Sequence, residues 1–468
     1  MTTSVLEKTE SSVIPVTHVV RGQVQRAMDV EFTQSSGLRF ATPKLDINSL
    51  VWPRNGLLPA SSVPVDEIID FLVGLGEAIK EDRFGHMTQA LDNMAKTCTL
   101  EKRIIANSFG DIPGLFTRKV MEFLIEQELG GKDILDGWRE VMRPSGRAAR
   151  TRAFPPRLIH ILPGNTPLAA AQAIMTGSMT KGVHLLKMPS NDLFSASAIL
   201  QTMVALDPEH PLVQSFSAVY WRGGDESVES QICRPQYFDK LVAWGGEDAI
   251  RGAKKYAGPG FDLITFDPKT SISFIGRETF ASEEALEQAA ELAAIDATPF
   301  NQGACTSSRF QFVEGSIEDI DRYCEKLQAN MGKDRHAASG LAWRVPLDVR
   351  EEIEGLRGLE PDYRVWGSYE GRGIVIRSPE PVDFHPDGKI VNVVPVSSLL
   401  EAVPFATVAT STVGVYPPSR KLEVRELLAS QGVQRIINLG QAMGKGVGIP
   451  HDGFWPLNRY MRWVNDED

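Results

Sequence analysis

Apolar positions recur at helical spacing through the first third of the chain, then alternate between strand and helix spacing from residue 157 onward. After a strand-like stretch, His18 to Val30, the periodicity predicts helices over Val65 to Glu81, Met87 to Thr97, Leu100 to Ser108 and Phe116 to Glu128. Arg143 to Phe154 is basic and poor in large apolar residues, which predicts an exposed arm or ribbon. Strands are predicted at Arg157 to Leu162, Val183 to Lys187, Ala218 to Arg222, Lys240 to Trp244, Asp262 to Phe266 and Ser271 to Ile275. Helices fall between them, at Leu168 to Thr180, Leu193 to Leu206 and Glu247 to Tyr256. Such alternation builds βαβ units around a parallel sheet, with ligands at the carboxyl ends of its strands. A second α/β block follows. It has a helix at Glu283 to Ile295, a loop at Phe300 to Ser308, a strand at Arg309 to Val313 and a helix at Ile317 to Met331. Strand-rich sequence from Arg364 to Val396, a strand at Thr407 to Tyr416, a helix at Lys421 to Ser430 and an aromatic tail complete the pattern.

Composition narrows the class. At 468 residues, 42% hydrophobic and 23% charged, the chain reads as a soluble globular protein of two or three domains. A net charge of −11 argues against general affinity for nucleic acid or anionic membranes. Met1 to Ser12 is polar, with no secretory apolar core. The longest apolar stretch, Leu158 to Met179, is broken by Pro163, Gly164, Asn165 and Pro167, so membrane insertion is not expected. Cys98, Cys233, Cys305 and Cys324 form no CxxC pair, which suggests no zinc site, no disulfide framework and a reducing cytoplasm.

Four short segments carry candidate chemistry. In Asn301-Gln302-Gly303-Ala304-Cys305-Thr306-Ser307-Ser308, a cysteine sits among small residues on a loop between a helix and a strand. Nearby amide dipoles would favour its thiolate. A free cysteine suits a buried, inert position equally well. In Leu162-Pro163-Gly164-Asn165-Thr166-Pro167, Asn165 or Thr166 could cap the next helix, or the Asn165 amide could donate to a developing oxyanion. Lys187 ends a buried strand and reads alternatively as a solvated strand end. Gly245 and Gly246 form a turn between a strand and a helix, where backbone can approach a dinucleotide.

The order Asn165, Lys187, Gly245, Cys305 resembles the aldehyde dehydrogenase superfamily. Ala243 to Glu247 and Ile449 to Gly453 look like the LuxC-type acyl-CoA (fatty-acyl) reductases in particular. The resemblance implies two doubly wound α/β domains with a small β oligomerisation extension. Its layout would be 1–142 as a helical part of the cofactor domain, 143–156 as the arm, 157–270 as the dinucleotide-binding part, 271–440 as the catalytic domain and 441–468 as a tail. It further implies Cys305 as nucleophile and Asn165 as oxyanion donor. Pro163, Lys187, Ser190, Gly245 and Gly246 would then lie at the cofactor. His451 would protonate a leaving group or assist the thiol, although a structural turn histidine explains it as well.

Two departures refine the expected activity. Aldehyde-oxidising members carry a Glu-Leu-Gly-Gly motif whose carboxylate activates water, whereas the corresponding Phe266-Asp267-Pro268-Lys269-Thr270-Ser271-Ile272 has no glutamate. Losing a general base slows hydrolysis by roughly 10²–10⁴, which favours reduction of a thioester over oxidation of an aldehyde. The Glu-x-Phe-Gly-Pro motif that holds the nicotinamide ribose is also absent, and Lys389 to Pro395 takes its place. Ser190 stands where NAD-preferring relatives have a carboxylate, which favours NADPH while leaving NADH open. The expected reaction is attack of Cys305 on an acyl thioester, most simply acyl-CoA with coenzyme A leaving, then reduction to the aldehyde. Oxidation of free aldehydes and a non-catalytic partner subunit are the alternatives. A homo-oligomer, with partner enzymes supplying the acyl group or using the aldehyde, is the expected assembly.

Overall fold

The computed structural model describes residues 13–341, 345–444 and 446–467, so the polar stretch Met1 to Ser12 lies outside the described residues. These fall into two compact units. The first takes the residues up to Cys98, Phe109–Thr265 and the segment from Pro456; the second takes Thr99–Ser108 and Phe266–Trp455.

The first unit is built on β1 (Arg157–Ile161), α1 (Pro167–Met179), β2 (Val183–Lys187), α2 (Ser195–Leu206), β3 (Phe216–Val219), β4 (Lys240–Trp244), α3 (Glu247–Lys254) and β5 (Asp262–Phe266). The sheet order is β5-β4-β1-β2-β3, extended by an amino-terminal hairpin, His18–Val20 and Gln23–Gln25, that runs antiparallel to β3. Strands β4, β1, β2 and β3 are mutually parallel. Every residue of β2 is buried, as expected for a parallel strand covered on both faces. The chain leaves β1 first towards β2 and later returns to its other side as β4. That reversal makes β1/β4 the topological switch point, where open α/β sheets bind ligands.

The predicted arm is real. Arg139–Met142 and Ala148–Phe154 form a hairpin, and the tail strand Arg462–Glu467 pairs antiparallel with Ala148–Phe154. The predicted strand at Ala218 to Arg222 sits two residues earlier, at Phe216–Val219, which releases Tyr220 and Trp221 to the carboxyl edge of the sheet.

The second unit holds β6 (Thr270–Ile275), α4 (Glu283–Ala297), β7 (Ser308–Glu314), α5 (Ile317–Met331), β8 (Ile374–Arg377), β9 (Ile390–Val396), β10 (Thr410–Tyr416) and β11 (Arg435–Asn438). Its sheet order is β8-β9-β7-β6-β10-β11, with Arg364–Trp366 added antiparallel outside β8. The pairs from β8 through β11 are all parallel. Two elements escape the sequence pattern. Helix Leu347–Arg357 fully buries Ile353 alone, with Val349 and Leu356 half-buried on the same face, and β11 is a four-residue edge strand whose residues are all half-buried. Among the described residues, no helix is long and apolar enough to cross a membrane.

Candidate active site

In the first unit, Thr166 takes the cap of α1, its hydroxyl accepting from the Leu168 amide at 3.3 Å. Asn165 stands one residue earlier, half-buried beside the half-buried Pro163. A Cβ on Gly164 would lie 1.6 Å from Asn191 Oδ1, so only glycine lets the Asn191 side chain pack there.

Lys187 ends β2 directly beside Ile161 of β1. Its ammonium lies 5.9 Å from the centre of the Tyr220 ring. Lys187 lines a pocket of about 450 Å³ at the switch point, together with Ile161, Trp221, Glu229 and Tyr256. Burial pulls the Lys187 pKa down, and the nearby Glu229 carboxylate opposes that pull. Glu229 is itself buried. It accepts from Trp221 Nε1 at 3.0 Å, the Gly224 amide at 3.2 Å and the Tyr256 hydroxyl at 3.1 Å. Arg251 and Lys255 also line the pocket, pairing with Glu247 and Glu226. A cavity with apolar walls, a buried cation and a basic rim suits the adenosine half of a dinucleotide.

Gly245 has φ 153° and a Cβ there would lie 3.0 Å from that of Ala249, so the turn into α3 needs glycine. Gly246 caps α3, whose first turn holds Glu247 and Asp248. Ser190 is exposed, and its carbonyl accepts from Gln34 Nε2.

In the second unit the sheet presents Cys305 at its amino edge, three residues before β7 begins. Cys305 is exposed, unlike Cys324, which is buried. The inert, buried reading of Cys305 is therefore overturned. As expected, the loop lies between a helix and a strand, following the carboxyl end of α4 through a 3₁₀ turn at Pro299–Gln302. Three consecutive non-glycine residues there are left-handed: Phe300 (φ 50°), Asn301 (φ 53°) and Gln302 (φ 76°). Such backbone persists only where its surroundings over-determine it.

The surroundings do so through side chains. The Gln302 amide donates to the Ile390 carbonyl at 2.7 Å and accepts from the Ile390 amide at 3.0 Å, as another strand would. Asn301 Nδ2 donates to Ser339 Oγ at 2.8 Å, and its Oδ1 accepts from the Ser339 amide at 3.1 Å. Arg309 donates to the Gln302 carbonyl at 2.7 Å. Asn301 and Gln302 thus serve the turn, and their small neighbours leave Cys305 open.

The Cys305 carbonyl accepts from Ser271 Oγ at 2.8 Å. Ser271 lies in the stretch that carries the water-activating glutamate of aldehyde oxidisers, and it brings a neutral hydroxyl. A cation stands on the other side. Arg435, at the start of β11, interacts electrostatically with both Cys305 and Asp296. Its guanidinium donates to the Ala442 carbonyl at 2.7 Å, while Asp296 accepts from the Gly440 and Ala442 amides, each at 2.8 Å. Burial lifts the Asp296 pKa to about 6, against those hydrogen bonds. His451 packs edge-on against Phe266 at 4.9 Å, with Asp452 Oδ1 3.7 Å from its Nε2.

Sequence reasoning missed Glu229, Ser271 and Arg435. None belongs to a local motif, because each is brought in by strand order; only the strand-end position of Ser271 hinted at its place. Cys233 also lines the pocket, with its thiol pushed up to about 12 by burial and Glu229. Of the aromatic tail, Tyr460 is buried against His160, Phe454 packs on Phe266, and Trp455 and Trp463 are exposed.

The pattern that defines the acyl-CoA reductase (LuxC) family matches residues 60–463. The chain belongs to that family. This LuxC protein is 30% identical over 424 residues to a long-chain acyl-protein thioester reductase of Photorhabdus luminescens, covering 87% of this chain and 83% of that one. It is 27% identical over 418 residues to the corresponding reductase of Aliivibrio fischeri, covering 86% and 82%. Among solved structures, it resembles an NAD-dependent benzaldehyde dehydrogenase from Corynebacterium glutamicum at 12% identity, with TM-score 0.71 over 99% of this chain and all (100%) of that one. It also resembles an NADP-dependent glyceraldehyde-3-phosphate dehydrogenase from Bacillus halodurans C-125, complexed with NADP, at 12% identity (TM-score 0.69, covering 96% and 98%). The fold is that of the aldehyde dehydrogenases, and family membership makes this LuxC chain an acyl reductase.

Proposed function

We infer that this LuxC protein reduces a fatty acyl thioester to an aldehyde, holding the acyl group on Cys305 in between. The observation that carries the reading is the exposed Cys305 on a braced left-handed turn, with Ser271 rather than a carboxylate against its peptide. The thiolate attacks the acyl carbonyl, a tetrahedral oxyanion forms, and the donor's thiol leaves with a proton. Asn165 is proposed to donate its amide to the oxyanion, with the Cys305 backbone N–H as second donor. His451 is proposed to give the leaving thiol its proton. With Ser271 in the stretch where aldehyde oxidisers carry the water-activating glutamate, hydrolysis is slow and the thioester persists until reduction.

The nicotinamide cofactor, when bound, supplies the hydride that completes the reduction. Lys187, with the Gly245-Gly246 turn, Pro163 and Ser190, is proposed to hold its adenosine half and phosphates. The exposed neutral Ser190 and the basic pair Arg251 and Lys255 favour NADPH, while the buried Glu229 carboxylate weighs towards NADH.

The donor thiol is either coenzyme A or a protein. The names of the relatives, acyl-protein thioester reductases, support a protein-bound acyl group over the coenzyme A first expected. Nucleotide oxidation is to be followed with acyl-CoAs of graded chain length and with an acylated protein cysteine, each with NADPH and NADH. Acyl labelling of the wild type but not of Cys305→Ala is expected; a labelled Cys305→Ala protein defeats the reading. Aldehyde oxidation that proceeds without any added thiol would favour the oxidase alternative instead.

A further inference from the structure

A lysine that the chemistry above does not use sits directly behind the cysteine turn. Lys389 is fully buried and left-handed (φ 67°) at the entrance to β9. Its ammonium has three protons, and three backbone carbonyls receive them: Ser339 at 2.8 Å, Gly340 at 3.1 Å and Gly371 at 3.5 Å. Ser339 and Gly340 belong to one loop and Gly371 to another, so the charge joins two chain segments.

The loop it grips is the one that holds the cysteine turn. The Phe300 amide donates to the Ala337 carbonyl at 2.6 Å. Asn301 exchanges hydrogen bonds with the amide and hydroxyl of Ser339. Gln302 is paired on both sides with Ile390, the residue next to Lys389. Each left-handed residue of the turn is thus tied either to the loop that Lys389 grips or to its chain neighbour.

We propose that Lys389 is a positioning residue for Cys305: its buried ammonium clamps the Ser339–Gly340 turn and so maintains the strained backbone that presents the thiol. The inference rests on Cys305 being the nucleophile. A neutral amine would keep at most two of the three donors and lose the charge that makes carbonyl oxygens good partners. The groups around the ammonium are Arg335 and Arg372, which oppose its charge, and Asp334 and Glu101, which support it. Burial outweighs these and brings its pKa down to about 8, so the clamp loosens just above neutral pH. The sign differs for the whole molecule. Because the unfolded chain holds this proton more tightly, deprotonation of Lys389 between about 8 and 10.5 adds to global stability while it frees the turn.

The test pairs a variant with a measurement on the native protein. Lys389→Met should lower the rate of Cys305 acylation by about 10- to 100-fold, as expected for misplacing a reacting group. NADPH affinity should stay within about twofold. Ser339→Ala cuts the same chain of contacts, so Lys389→Met/Ser339→Ala should be no slower than the slower single variant. Additive effects, or a folded Lys389→Met protein that acylates at the native rate, overturn the proposal. If Lys389→Met fails to fold, amide hydrogen exchange of the wild type decides. Protection at 300–306, corrected for intrinsic rates, should fall between pH 7 and 9 while global stability does not. Unchanged protection across that range overturns it. Cys305→Ala separates the premise from the inference: continued acylation of that variant removes Cys305 as nucleophile, whereas the exchange result bears on the clamp alone.

Discussion

The two units solve the problem of holding a reactive group in opposite ways. In the first, the candidate nucleotide site is made from the ends of regular elements: Lys187 closes β2, Gly245 and Gly246 open α3, and the pocket lies where the sheet order reverses. In the second, the candidate nucleophile sits on an irregular turn of three left-handed residues, held by the amides of Asn301 and Gln302. Recognition of a large ligand needs a surface, and parallel strands supply one at little strain. Presenting one sulfur atom needs a backbone that no regular element offers, so side chains must hold it.

The strongest way to break this division is Cys305→Ala. It should reduce aldehyde formation by about 10⁴-fold or more yet leave NADPH binding unchanged in a fluorescence titration. A parallel loss of nucleotide affinity would show that the two tasks are not separable. Asn165→Ala tests the boundary, since Asn165 belongs by chain to the first unit and by proposal to the chemistry. Steady-state kinetics should show kcat down by roughly 10²–10³ with nucleotide affinity retained; a weakened Kd at unchanged kcat would return Asn165 to a purely structural part. Lys187→Met sharpens the other side. Calorimetry should report nucleotide binding weaker by about 10- to 100-fold, the worth of a charged hydrogen bond, while acyl labelling of Cys305 proceeds as in the wild type.

The smallest effect concerns the fold of the first unit. Glu128 is buried and accepts from the Leu457 amide at 2.6 Å and the Asn458 amide at 3.3 Å, with its pKa raised to about 7 by burial. A carboxyl whose folded pKa lies above its unfolded value binds more protons when folded. Its stabilisation is full below about pH 4.5 and is lost as pH rises through 7. Glu128→Gln should remove about 1–3 kcal/mol of that pH dependence, seen as a smaller difference in Tm between pH 5 and pH 8. An unchanged pH profile would mean that Glu128 keeps its charge throughout.

Much of this was legible in the chain itself. Strands Val183–Lys187, Lys240–Trp244 and Asp262–Phe266 and helices Ile317–Met331 and Lys421–Ser430 follow from periodicity, because each buries a continuous run or a clear stripe. The order of Asn165, Lys187, Gly245 and Cys305 was enough to suggest the superfamily, and the missing glutamate was enough to turn the expected task from oxidation to reduction. What the sequence could not reveal depends on residues far apart in the chain. Arg435 reaches Cys305 because β11 closes the edge of a sheet, and Gln302 meets Ile390 across 88 positions. Ser271 touches the Cys305 carbonyl because β6 and β7 are adjacent, and Lys389 reaches Ser339, Gly340 and Gly371 only once those loops converge. Local periodicity records which residues must be buried. Which of them meet is decided by strand order and loop closure, and at the cysteine turn those long-range contacts hold a backbone that its own residues would not adopt.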